Sequence, residues 1–128
     1  MFGMEIRLNE QYIAKKGQYK IEDLIATIDR LFNHYGFRKK VEDRSLYYLG
    51  NNHKDDYGKF FATYLILHRN RWFMENITLW HFLENDDNQN EEDGFYYSDY
   101  LKTLLRKNKL NGLDPAHIEK YSYEEDWW

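Results

Sequence analysis

The stretch Phe60-Phe61-Ala62-Thr63-Tyr64-Leu65-Ile66-Leu67-His68-Arg69-Asn70-Arg71-Trp72-Phe73-Met74-Glu75-Asn76-Ile77-Thr78-Leu79-Trp80-His81-Phe82-Leu83 decides how the rest of the chain is read. Two runs rich in aromatic and branched residues, Phe60 to His68 and Trp72 to Leu83, flank the polar Arg69-Asn70-Arg71, and this pattern predicts a β-hairpin. With Asn70-Arg71 as a two-residue turn, Tyr64 pairs with Ile77 and Phe60 with His81; a longer loop shifts that register. Neither face of such a hairpin is polar, since Tyr64, Ile66 and Ile77 share one side and Leu65, Trp72 and Trp80 the other. A sheet apolar on both sides has to be covered on both, by helices or by another chain, so the hairpin points to an interface.

Upstream of that stretch, Ile21, Leu24, Ile25, Ile28, Leu31, Phe32 and Tyr35 recur at helical spacing and predict an amphipathic helix from Ile21 to Tyr35. Gly36 follows where a left-handed residue ends a helix, and Glu22 and Asp23 lie in the first turn, where the dipole favours acids. Phe37, Lys39 and Val41 then alternate with Arg38 and Lys40, Ser45 to Leu49 reads as a strand, and Gly50 to Gly58 as a polar loop. Residues 5–16 fit either a short strand or a helix ended by Gly17, and residues 1–17 are taken as an irregular or short helical arm. Met4 is as good a native start as Met1.

Downstream, Tyr97, Tyr100, Leu101, Leu104 and Leu105 predict a second helix over Tyr96 to Lys107, with Asp93 or Ser98 as N-cap and Asn111-Gly112 as its stop. Asp114 and Pro115 open a short last helix, and residues 119–128 form an acidic aromatic tail. The expected fold is therefore α+β: a small antiparallel sheet of about three strands, in the order α-β-β-β-α plus a short C-terminal helix, packed against helices in one domain spanning 1–128.

With 128 residues, 42% apolar and 19% aromatic, the chain has the means to bury a core and is too short for two such domains. It has no cysteine, which excludes disulfides, thiol nucleophiles and cysteine-based zinc sites. No apolar run is long enough for a membrane span and no secretory signal opens the chain, so a cytoplasmic protein without membrane contact is expected.

Charge is unevenly spread. Residues 1–80 carry 13 Lys and Arg against 10 Asp and Glu, a net of +3, whereas residues 81–128 carry 5 against 12, a net of −7. The acids concentrate in Glu84 to Asp93, with Asp86, Asp87, Glu91, Glu92 and Asp93, and in Glu124-Glu125-Asp126 beside Trp127 and Trp128. Such a chain has no continuous basic stripe for holding phosphates, and a basic protein is the expected partner.

The motifs that would name a chemistry are incomplete. His34, His53, His68, His81 and His117 lack the i, i+4 pairing of a helical zinc site. Asp86, Asn88 and Asn90 start like a calcium loop, but Glu91 stands at its glycine position and Tyr97 at its bidentate glutamate position. Ser45, Ser98 and Ser122 sit in no nucleophile elbow, and no phosphate-binding glycine loop occurs. No catalytic residue, metal or cofactor is assigned.

What remains is acids next to aromatics. Carboxylates steer a basic partner, while Tyr and Trp bury large area with few rotamers. The expected function is a non-enzymatic acidic binding protein that neutralises a basic, nucleic-acid-processing partner protein, as toxin-immunity proteins and phage-encoded anti-defence inhibitors do as classes. Its partner-binding residues would be Asp86, Asp87, Glu91, Glu92, Asp93, Tyr96, Glu124, Glu125, Asp126, Trp127 and Trp128. One alternative is a small-ligand or catalytic domain with a pocket between the sheet and the first helix, lined by Tyr47, Tyr64, Trp80 and His81. A second is a double-stranded-RNA-binding-like domain, which shares the α-β-β-β-α order but would need lysines where Gly94 to Asp99 stand. Self-association as a homodimer through the two-sided hairpin is a third possibility.

Overall fold

A computed structural model describes residues 1–85 and 95–107. These form β1 (Phe2–Leu8), α1 (Glu10–Lys16), α2 (Ile21–His34), β2 (Arg38–Glu42), β3 (Ser45–Leu49), α3 (Asp56–Leu67), α4 (Arg71–Met74), β4 (Ile77–Glu84), β5 (Tyr96–Asp99) and α5 (Tyr100–Lys107). The strands make one antiparallel sheet in the order β2-β3-β1-β4-β5. The fold is α+β, but the sheet has five strands where about three were expected.

Four segments account for the difference: the stretch around Asn70 yields one strand fewer, and residues 2–8, 38–42 and 96–99 each add one. The first is the stretch around Asn70. Phe60 to Leu67 belongs to a helix whose buried residues, Phe60, Thr63 and Leu67, follow helical spacing. Its other faces carry Phe61, Tyr64, Leu65 and Ile66, so the apolar period that would mark a helix is filled in and the run imitates a buried strand. Asn70 is buried and its Nδ2 donates to the Ile66 carbonyl at 2.7 Å, while Asn76 Nδ2 donates to the Trp72 carbonyl at 2.6 Å. The expected hairpin turn is therefore a helix-to-helix corner, and β4 begins only at Ile77. Neither Tyr64–Ile77 nor Phe60–His81 is a strand pair; His81 is paired with Glu5 and Asp99 instead.

The second is the N-terminal segment. Residues 2–8 form the central strand, flanked by β3 and β4, and Met4, Ile6 and Leu8 point into the core. Three alternating apolar residues are a weak local signal. Asn9 then caps α1 by accepting from the Tyr12 N–H, and Gly17 ends it at φ 65°. A further shift occurs at residue 96: Tyr96 to Asp99 are extended and the helix starts at Tyr100, where Asp99 rather than Ser98 caps the Lys102 N–H at 2.9 Å.

Elsewhere local pattern and structure agree. α2 buries Leu24, Ile28, Leu31 and Phe32, as the stripe predicts. β2 and β3 form a hairpin closed by Asp43 and Arg44, both left-handed at φ 49° and 68°, the conformation of a two-residue turn that matches strand twist. The helices of the described residues pack on one face of the sheet, where Met4, Ile6, Leu46, Tyr48, Trp80 and Phe82 meet Ile28, Phe32, Phe60, Phe73 and Leu101. Phe32 stacks on Tyr48 at 4.0 Å and Phe37 on Phe60 at 3.9 Å. Among the described residues, no helix is long and apolar enough to cross a membrane.

Candidate functional site

Strand registers place one residue from each of the five strands in a single row on the face opposite the helices: Lys40, Tyr47, Glu5, His81 and Asp99. Glu5 is the centre of this row. Its Oε2 accepts from Ser45 Oγ at 2.6 Å and from Tyr47 Oη at 3.1 Å, and Arg7 Nη2 lies 3.6 Å away. Arg7 also donates to Ser45 Oγ from Nε at 3.1 Å and from Nη2 at 3.0 Å.

His81 sits between carboxylates on both sides, with Nδ1 3.9 Å from Glu5 Oε1 and Nε2 3.7 Å from Asp99 Oδ2. Tyr97 stacks on its ring at 4.4 Å. Glu5 and His81 keep only 12% and 16% of their side-chain surface, so the ring is held between the two carboxylates in a partly desolvated place. Burial, the Glu5 charge and the Glu5 hydrogen bond, in that order, raise the Tyr47 phenol pKa and keep it a neutral donor. The row holds strands together and orients His81.

A second group lies on the helix-facing side, at the end of the sheet where the acidic segment joins β4 to β5. Tyr57 contacts Phe82 at 6.0 Å, Phe82 contacts Tyr100 at 5.8 Å, Tyr100 contacts Tyr64 at 4.5 Å, and Tyr64 contacts Phe61 at 6.0 Å. Tyr96 stands in the same region, in a row with Glu84 and Phe2, and Phe2 packs on Tyr57 at 5.6 Å. The inner rings are packed, while Tyr96, Tyr57 and Phe61 remain 71%, 58% and 49% exposed. Burial first, and then the neighbouring Tyr57 and Tyr64 phenols, push the Tyr100 pKa up.

Of the residues expected to bind a partner, Tyr96 is placed by the structure, exposed on an edge strand. Asp86, Asp87, Glu91, Glu92, Asp93, Glu124, Glu125, Asp126, Trp127 and Trp128 lie outside the described residues, as does the short helix expected after Asp114. Tyr57 and Phe61 were missed because one was assigned to a loop and the other to a strand; their i, i+4 spacing was the available signal. The pocket expected from Tyr47, Tyr64, Trp80 and His81 does not form. Tyr47 and His81 are in the polar row, Trp80 and Tyr64 are on the other side of the sheet, and Ile28, Phe32, Met4 and Ile6 fill the space between α2 and the sheet. Among the described residues, no group of three or more histidine and carboxylate side chains is arranged to hold a metal ion.

Fold and site together define an α+β domain with a five-stranded antiparallel sheet, helices on one face and a charged row on the other. Comparison with known protein families, with curated proteins and with solved structures returned no match.

Proposed function

We propose that this protein is a non-enzymatic binding module that docks a basic partner protein at the tyrosine surface of α3, α5 and β5. The observation that carries this reading is the exposure of Tyr57, Phe61 and Tyr96 at the end of the sheet from which the acidic segment departs. Aromatic rings over a packed base are suited to desolvated contact, and the acids of residues 84–93 supply attraction that reaches beyond contact distance. A partner that handles nucleic acid has a basic surface of the required sign, and occupying that surface would inhibit it, as an immunity or anti-defence protein does.

The test is capture of partners from the lysate of the source cell at low and moderate salt, with the wild-type chain, a Tyr57→Ala/Tyr96→Ala double variant, and a variant with the five acids Asp86, Asp87, Glu91, Glu92 and Asp93 replaced by amides. A basic protein retained by the wild type and lost by both variants is the expected result. Equal retention by all three, or no specific protein retained, ends the reading.

A further inference from the structure

The end of the sheet opposite the tyrosine surface has a different character. β2 is an edge strand, and all five of its residues, Arg38-Lys39-Lys40-Val41-Glu42, are exposed, with Val41 at 62%. Around it stand five cations, Arg30, Arg38, Lys39, Lys40 and Arg44, against three anions, Asp29, Glu42 and Asp43. Lys39 pairs with Asp29 at 2.8 Å and Lys40 with Glu42 at 3.1 Å, which leaves the surroundings net positive. Four strand spacings, roughly 19 Å, separate this edge from β5. That is about two Debye lengths at physiological salt, so charges on β5 itself are largely screened from this edge.

Backbone geometry adds a second feature. In a hairpin closed by a two-residue turn, the pair flanking the turn exchanges hydrogen bonds and every second pair does so after it. Here that set is Glu42–Ser45, Lys40–Tyr47 and Arg38–Leu49, so the N–H and C=O groups of Lys39 and Val41 point away from β3. The side chains of those same two residues lie on the helix-facing side, beside a cleft of about 430 Å³ between α2 and the β2–β3 hairpin, floored by Phe37 and Tyr48 and bordered by Ala26 and Arg30.

We propose that β2 accepts an extended acidic segment of another protein as a sixth strand, bonded to the outward backbone groups of Lys39 and Val41. In that pairing, acids on alternate positions face Arg38 and Lys40, and the apolar residues between them lie over Val41 and reach into the α2 cleft. The charges also select against the wrong strand: a basic strand, including β2 of a second copy with its central Lys40 opposite this one, is repelled.

A fluorescent peptide alternating glutamate with valine is the probe, with a lysine–valine peptide as control. The expected result is saturable anisotropy with the acidic peptide only, weakening several-fold as salt rises, and slowed amide exchange at Lys39 and Val41. Val41→Pro removes one outward N–H without touching the β3 ladder and should weaken binding roughly tenfold or more. Lys40→Glu changes a side chain alone and should weaken binding severalfold; if the proline variant fails to fold, unchanged binding in Lys40→Glu overturns the proposal in its place. No binding up to about 1 mM peptide, binding equal for both peptides, or binding unchanged in a folded Val41→Pro also overturns it. So does self-association of the peptide-free chain that Val41→Pro abolishes, which would assign the edge to a second copy.

Discussion

Ser45 Oγ lies 2.6 Å from Glu5 Oε2, joining residues 40 apart in sequence at the centre of the sheet. The serine is fully buried and also accepts from Arg7, so one hydroxyl mediates between an acid and a base of the neighbouring strand. Replacing it by alanine removes the mediator and leaves both charged groups half-satisfied. Ser45→Ala should lose about 1–3 kcal/mol in urea denaturation with the slope unchanged. A loss within error would mean that Tyr47 alone satisfies Glu5.

Gly50 follows β3 and its N–H donates to the Phe2 carbonyl at 2.8 Å. A Cβ at this position would stand 2.6 Å from Asp56 Oδ2, the oxygen that accepts from the Asn51 and His53 N–H groups. Asp56 is buried at the start of α3 and has little room to move. Gly50→Ala is expected to destabilise the fold by about 2 kcal/mol or more, because the displaced carboxylate loses its donors. Thermal unfolding of that variant beside Asp56→Asn checks it: comparable losses are expected, and a neutral Gly50→Ala would refute the steric account.

Tyr48 Oη donates to Asp29 Oδ1 at 2.7 Å from beneath α2, and burial, then the hydrogen bond and charge of Asp29, raise its pKa well above the usual phenol value. A group that holds its proton more tightly when folded contributes stability that is complete below the unfolded pKa of about 10 and is lost as pH rises above it. Tyr47, Tyr64 and Tyr100 are shifted in the same direction. Unfolding free energy should therefore fall from pH 9 to pH 11, and Tyr48→Phe should flatten part of that slope. A profile identical to wild type in Tyr48→Phe would remove Tyr48 as its source.

The acids of the β4–β5 connection act on encounter rather than on the bound contact in the proposed function. Changing Asp86, Asp87, Glu91, Glu92 and Asp93 to amides should slow association by about tenfold or more at low salt, flatten its ionic-strength dependence and leave dissociation largely unchanged. Stopped-flow association with the captured partner reads this directly. Unaltered association would exclude electrostatic steering by this segment.

How much of the molecule can be read from its sequence depends on how each segment meets its neighbours. The α2 stripe is legible because only one of its faces is buried, so Leu24, Ile28 and Leu31 stand out against Glu22, Asp23 and Arg30. The alternation of residues 37–41 and the strand at Ser45 to Leu49 are legible, but their pairing as a hairpin is not, because the turn carries Asp43 and Arg44 rather than a glycine. In α3 the apolar residues run around the helix because Phe60 faces the core while Phe61 and Tyr57 face outward, and the periodicity that separates helix from strand disappears. An expectation of a hairpin there was the natural reading of composition, and it missed the exposed tyrosine surface for the same reason.

By itself, the sequence determined the mixed α+β class, the α2 helix, the strand at Ser45 to Leu49, and the separation of a basic first part from an acidic second, since each rests on local spacing or on residue identity. Only the tertiary structure decided that residues 2–8 are the central strand, that the sheet has five strands, and that Glu5, His81 and Asp99 share one row. Strand order and register arise from burial summed over the whole core, where Met4 and Ile6 need neighbours from β3 and β4 on both sides, and no window of sequence contains that sum.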